Sequence, residues 1–113
     1  MEKKIIEFNG EIFIETTYMG IPVIIDSNDY YQVSSICKDY DKFKRWITLE
    51  HTKELILAYK NKNISEENLE LIKHRPISFQ NFQGTYIHKC LVHHLCEWCN
   101  PDYSIIISKN NYY

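Results

Sequence analysis

A chain of 113 residues, 44% hydrophobic and 14% aromatic, has the length of one domain and enough apolar side chains to bury a core, which excludes a disordered segment or two independent modules. Its net charge of -2 and pI near 6.2 exclude a generic basic nucleic-acid coat. Any attraction for polyanions must come from how the charge is distributed.

That distribution is uneven. Residues 1–37 carry Lys3 and Lys4 against Glu2, Glu7, Glu11, Glu15, Asp26 and Asp29. Residues 38–62 carry Lys38, Lys42, Lys44, Arg45, Lys53, Lys60 and Lys62 against Asp39, Asp41, Glu50 and Glu54, and Lys73, His74 and Arg75 form a second basic group. An acidic first third and a mildly basic middle suggest one face suited to phosphates. No window is long and apolar enough to span a membrane, and MEKKIIEFNG lacks the apolar run of a signal peptide, so a soluble intracellular protein with no membrane partner is expected. Cys37, Cys90, Cys96 and Cys99 show no spaced framework and read as reduced thiols.

In chain order, Lys4 to Phe8, Glu11 to Met19 and Ile21 to Asp26 are short β-branched and aromatic runs separated by Asn9-Gly10 and Gly20, the pattern of a β-meander over residues 1–33. Alternation sets Ile12, Ile14 and Thr16 on one face of the second strand and Phe13, Glu15 and Thr17 on the other. A short strand from Tyr30 to Val33 follows the Ser27-Asn28-Asp29 turn. Residues 34–72 read as a helix-turn-helix region. Ser34 is the expected N-cap of a short helix through Asp39, and a helix from Lys42 turns Phe43, Trp46 and Ile47 inward while Lys42, Lys44 and Arg45 face solvent. Leu49 to Tyr59 continues with Leu55, Ile56 and Tyr59 on its buried side. Ser65, with Glu66 and Glu67 behind it, is expected to cap a short helix through Ile72.

Residues 77–88 read as a β-hairpin, or wing, that ends at Gly84, where a positive φ or a close backbone approach is expected, a position that only Gly occupies cheaply. Residues 89–110 then hold two helices. The first carries Leu91, Leu95 and Trp98 on one stripe with Val92, Cys96 and Cys99 beside it; the second starts at Asn100-Pro101 and buries Tyr103, Ile106 and Ile107.

The string Gly84, Thr85, Tyr86, Ile87, His88, followed by Leu91, His94, Leu95, Trp98 and Pro101, resembles the KilA-N domain of large DNA viruses and phages, a relative of the fungal APSES domain. The resemblance runs from about Asp29 to Ser108. The family's Tyr-Val-Asn-Ala-Thr-x-Leu-Cys-Lys falls on Tyr30 to Lys38, with Gln32 for Asn, Val33 for Ala and Ser34 for Thr; Phe43, Trp46 and Thr52 match as well. The fungal wing string Phe-Gly-Lys-Tyr-Gln-Gly-Thr-Trp-Val becomes Phe79 to Ile87, with Gln80 for the first Gly and Asn81 for the Lys.

The resemblance implies an α+β domain, a β-meander packed on a helical bundle with a winged helix-turn-helix-like core, in a viral protein that binds double-stranded DNA. Phosphate contacts are then expected from Lys42, Lys44, Arg45 and Lys53, with Lys73 and Arg75 replacing the missing wing lysine. Gln80, Asn81, Gln83 and Thr85 would meet a groove. Some poxvirus members join this domain to a RING finger and act as host-range ubiquitin ligases, and richness in Ile, Lys, Asn and Tyr suits an AT-rich genome of that type. A poxviral member would work in the cytoplasmic factories of the host cell. No RING is expected within residues 1–113.

Two other chemistries receive little support. Cys96-x-x-Cys99 with His88, His93 and His94 has zinc-like spacing, but no second cysteine pair completes a tetrahedron, so no metal or cofactor is expected. There is no Gly-rich phosphate loop, Gly-x-Ser-x-Gly or clustered carboxylate pair, so no catalysis is expected. The competing class is a protein-interaction or substrate-recruiting module using the same basic face or Tyr112 and Tyr113; the oligomeric state, a dimer included, stays open.

Overall fold

The computed structural model describes residues 3–62, 70–100 and 105. Its centre is a six-stranded antiparallel sheet in the order β1-β2-β3-β4-β6-β5. Lys4–Phe8 (β1), Glu11–Tyr18 (β2) and Ile21–Asp26 (β3) form the expected meander. Each of its two turns has two residues, Asn9-Gly10 and Met19-Gly20, all at positive φ, the turn whose twist suits a tight hairpin. Met19 therefore belongs to the turn rather than to the strand.

Tyr30–Gln32 (β4) runs directly into the helix Val33–Ile36 (α1). Gln32 is the N-cap residue, and Ser34 is exposed in the first turn of α1, two positions past the cap. Ser35 does the tying instead, donating to the Gln32 carbonyl at 2.7 Å and accepting from the Ile24 N–H at 3.3 Å. Tyr40–Thr48 (α2) is capped by Asp39, whose carboxylate accepts from the Asp41 and Lys42 N–H groups. Spacing of i and i+3 buries Phe43 and Trp46, contributing about 2 to 3 kcal/mol each. Glu50–Lys62 (α3) follows after Leu49, with Leu55, Ile56 and Tyr59 packed against the core as expected. The helix expected from Ser65 lies outside the described residues save for its end, where Ile72 starts a strand.

The hairpin differs from expectation in extent, its first strand lying before residue 77. Its strands are Ile72–Arg75 (β5) and Gly84–His88 (β6), paired from Ile72↔Ile87 to Arg75↔Gly84. Residues Ile77–Phe82 are a 3-10 segment, not a strand, because Pro76 ends β5 and Phe79 and Phe82 turn back onto the sheet. Phe82 stacks on Phe13 at 4.4 Å between ring centroids, and Phe79 and Phe82 both meet Phe8. The connection is thus folded onto the molecule. β6 leads into Lys89–Cys99 (α4), capped by His88, whose Nδ1 accepts the Cys90 N–H.

The sheet has a core on each face. Val23, Tyr31 and Ile87 meet Ile36, Phe43, Trp46, Leu91, Val92, Leu95 and Cys96 from the helices. Phe13, Tyr30 and Tyr86 meet Phe82 on the other face. Trp98, placed on the buried stripe by spacing, is 36% exposed and donates its indole N–H to the Lys42 carbonyl, joining α4 to α2. The expectation of four thiols needs correcting. Cys37 and Cys99 form a disulfide, since the ends of α1 and α4 meet with Cα atoms 5.3 Å apart, a contact invisible at a separation of 62 residues. Cys90 and Cys96 are free, and burial pushes the Cys96 thiol up to about 12. The helix expected from Asn100 onward lies outside the described residues, apart from Ile105.

Candidate nucleic-acid interface

Of the ten expected contact residues, the six cations fall into two groups with different electrostatics. Lys42, Lys44 and Arg45 lie on α2 and Lys53 on α3, two helices packed on each other. Lys44, Arg45 and Lys53 are exposed and Lys42 is half-buried. Asp39 at the N-cap and the inward Phe43 and Trp46 fix the rotation of α2, so residues 44 and 45 have to face water. None of these four cations makes an ion pair among the described residues. Lys44 reaches back toward the Tyr40 ring, 6.0 Å from its centroid. Four unpaired cations on one helix pair offer an anion charge that the protein itself does not neutralise.

Lys73 and Arg75, on β5, do the opposite. Arg75 is only 9% exposed; its Nη2 lies 2.8 Å from Asp26 Oδ2 and its Nη1 2.7 Å from Glu11 Oε1. Its guanidinium also lies over the rings of Phe13, Phe79 and Tyr86 at 5.1 to 5.3 Å. Lys73 Nζ lies 2.7 Å from the same Asp26 oxygen and 4.1 Å over the Tyr30 ring. Both charges are answered inside the protein, by Asp26 and Glu11. They act as pins that hold β5 to the meander.

Asp26 organises this charge cluster, and the sequence pattern did not single it out. It is 1% exposed and accepts from the Asn28 and Tyr30 N–H groups as well as from Lys73 and Arg75. Burial alone would raise its pKa, but the Lys73 ammonium, the Tyr30 N–H and the Arg75 guanidinium outweigh it and hold the carboxyl below the usual carboxylate value. Its signal in the sequence is a carboxylate ending the apolar run IPVII immediately before a turn.

The polar residues of the connection are held by their backbone and leave their side chains outward. Gln32, 4% exposed, donates its amide to the carbonyls of Asn81 and Gln83, both at 2.9 Å. The Gln32 amide, at the position where the family has Asn, thus clamps the connection to the N-terminal end of α1. Gln80, Asn81 and Gln83 are exposed. Gln80 has φ 54° and ψ -118°, a conformation that favours glycine, and it stands where the fungal wing string has Gly. Thr85 is half-buried and faces His74 across the β5–β6 ladder, with Oγ1 3.5 Å from its Nδ1.

The histidines and cysteines of the zinc-like string go to other tasks. His88 caps α4, His93 pairs with Glu97 at 2.7 Å, His94 lies 3.4 Å from the Tyr59 hydroxyl, and Cys99 is in the disulfide. Among the described residues no three metal-ligating side chains converge.

The described residues thus form an α+β domain with a core on each face of its sheet and, on the α2–α3 helix pair, cations that make no ion pair among the described residues. The chain belongs to the KilA-N domain family, whose model matches residues 14–113. It is similar to a KilA-N domain-containing protein of Acanthamoeba polyphaga mimivirus, 26% identical over 91 residues that cover 75% of this chain and 26% of that protein. The chain therefore spans about a quarter of the length of that relative. No solved structure matches it. KilA-N domains occur in viral proteins and are generally DNA-binding.

Proposed function

We propose that this domain binds double-stranded DNA, with Lys44, Arg45 and Lys53 on phosphates, Lys42 at their flank, and the amides of Gln80, Asn81 and Gln83 against a groove. The observation that carries this reading is the division of the cations: those of α2 and α3 have no ion-pair partner among the described residues, whereas Lys73 and Arg75 are answered by Asp26 and Glu11. Three or four phosphate contacts on a protein of net charge -2 give modest affinity that is strongly salt-dependent, and a protein of this kind acts where viral DNA is found in the infected cell. Poxviral, host-range and ubiquitin-ligase roles belong to longer proteins of the type the resemblance brings in, and nothing in the geometry calls for them.

The test is binding of an arbitrary duplex at a series of salt concentrations. The unmodified domain should bind at low salt and release as salt rises. Lys44→Glu with Arg45→Glu should weaken binding to all sequences alike and flatten the log-log slope by roughly 0.9 for each phosphate that α2 no longer neutralises. Unchanged affinity at low salt removes α2 from the interface. Absence of binding to any duplex would favour the protein-interaction reading, for which Ile77, 79% exposed beside the amides, is the supporting feature.

A further inference from the structure

β1 is one end of the six-stranded sheet and lies outside the residues matched by the family model. Its inner side pairs with β2 from Lys4↔Glu15 to Phe8↔Glu11. The turn closing this hairpin, Asn9-Gly10, has two residues at positive φ, and in such a hairpin the flanking pair Phe8 and Glu11 exchanges both backbone bonds. Bonding direction alternates along a strand. Phe8, Ile6 and Lys4 therefore aim their N–H and C=O groups at β2, and Glu7, Ile5 and Lys3 aim theirs at the outer edge. Among the described residues no strand pairs with that edge. The same three residues have exposed side chains, Ile5 at 70%, on the face opposite Ile6 and Phe8. An open backbone edge carrying a bare Ile is a template for another strand.

We propose that the edge of β1 pairs antiparallel with β1 of a second copy of this chain, centred on Ile5. Only registers that oppose one outward residue to another can form the ladder. The register centred on Ile5 sets Ile5 against Ile5, Lys3 against Glu7 of the second copy, and Glu7 against its Lys3. A shift by one step in either direction takes Glu7 out of opposition to Lys3, and a further step one way sets Glu7 against Glu7. Charges on an edge usually discourage pairing. Here the two signs are spaced to answer each other across the two-fold axis, so charge complementarity selects both the partner and the register. The result is one continuous sheet carrying the α2–α3 surfaces of two domains.

Sedimentation equilibrium of the whole chain without DNA tests this, using the wild type, Lys3→Glu, Glu7→Lys, and an equimolar mixture of the two variants. The wild type should dimerise. Each variant sets like charges together at two symmetric positions and should raise the dimer Kd about tenfold or more. The mixture should recover near-wild-type affinity, because the edge of one variant then carries two lysines and the edge of the other two glutamates, and each lysine faces a glutamate. Both positions are exposed, so circular dichroism should show the fold intact. A wild type that is monomeric at millimolar concentration, a dimer indifferent to both single changes, or a mixture no tighter than the single variants would each overturn the proposal.

Discussion

Asp26 and Arg75, 49 residues apart in sequence, meet at 2.8 Å in the interior and bind the first hairpins of the sheet to its far edge strand. The pair joins the end of β3 to the end of β5, and Glu11 and Lys73 extend it on either side. A buried pair of this kind is weak evidence for net stability against an apolar substitute, but removing one member leaves an uncompensated charge. It is an electrostatic lock between elements that share no strand pairing.

Removing one member should therefore affect folding more than binding. Asp26→Ala should lower stability by about 3 to 5 kcal/mol, measured by urea denaturation, because Arg75 and the Tyr30 N–H lose their main acceptor. Lys73→Met should leave the salt slope of duplex binding unchanged. A flattened slope would place Lys73 on a phosphate after all.

The backbone of the connection gives two opposite outcomes. Gly84 has φ 103°, and a Cβ there would meet nothing within 4 Å, so Gly84→Val costs conformational strain of about 1 to 2 kcal/mol with no clash at the Cβ itself. Gln80, exposed and at φ 54°, already carries such strain. Gln80→Gly should raise stability by about 1 kcal/mol, the relief exceeding the added entropy of the unfolded chain. Thermal melts of the two variants should move in opposite directions.

Gln83 separates reading from gripping. Its carbonyl is held by Gln32 while its side chain is exposed. Gln83→Ala should cost about 1 to 3 kcal/mol on a preferred sequence and less on random duplex, measured by competition binding. Equal losses on both would make it a phosphate contact, and no loss on either would leave the connection structural.

Acid should destabilise the domain in two steps. Burial, helped by the neighbouring His93, lowers the pKa of His94 below the ordinary 6.5, so the folded state resists its protonation. Stability is full above pH 6.5 and declines as pH falls from there toward the folded value. Asp26, likewise depressed, contributes stability that is full above 3.8 and is lost as pH falls further. Denaturant midpoints recorded against pH should show both declines, and His94→Gln should remove only the first.

Read by itself, the sequence determined the local elements: the meander with its Asn9-Gly10 turn, the inward Phe43 and Trp46 of α2, and the family. These follow from side-chain period and turn chemistry, which act over a few residues. The tertiary structure alone decided which cations are free. Lys73 and Arg75 look like Lys44 and Arg45 in sequence, and only the folding of β5 toward Asp26 and Glu11 answers the first two, while the others make no ion pair among the described residues. The Cys37–Cys99 bond, the clamp from Gln32 to residues 81 and 83, and the strand boundary at Pro76 were hidden for the same reason. Each depends on segments tens of residues apart, and local pattern carries no record of where such segments meet.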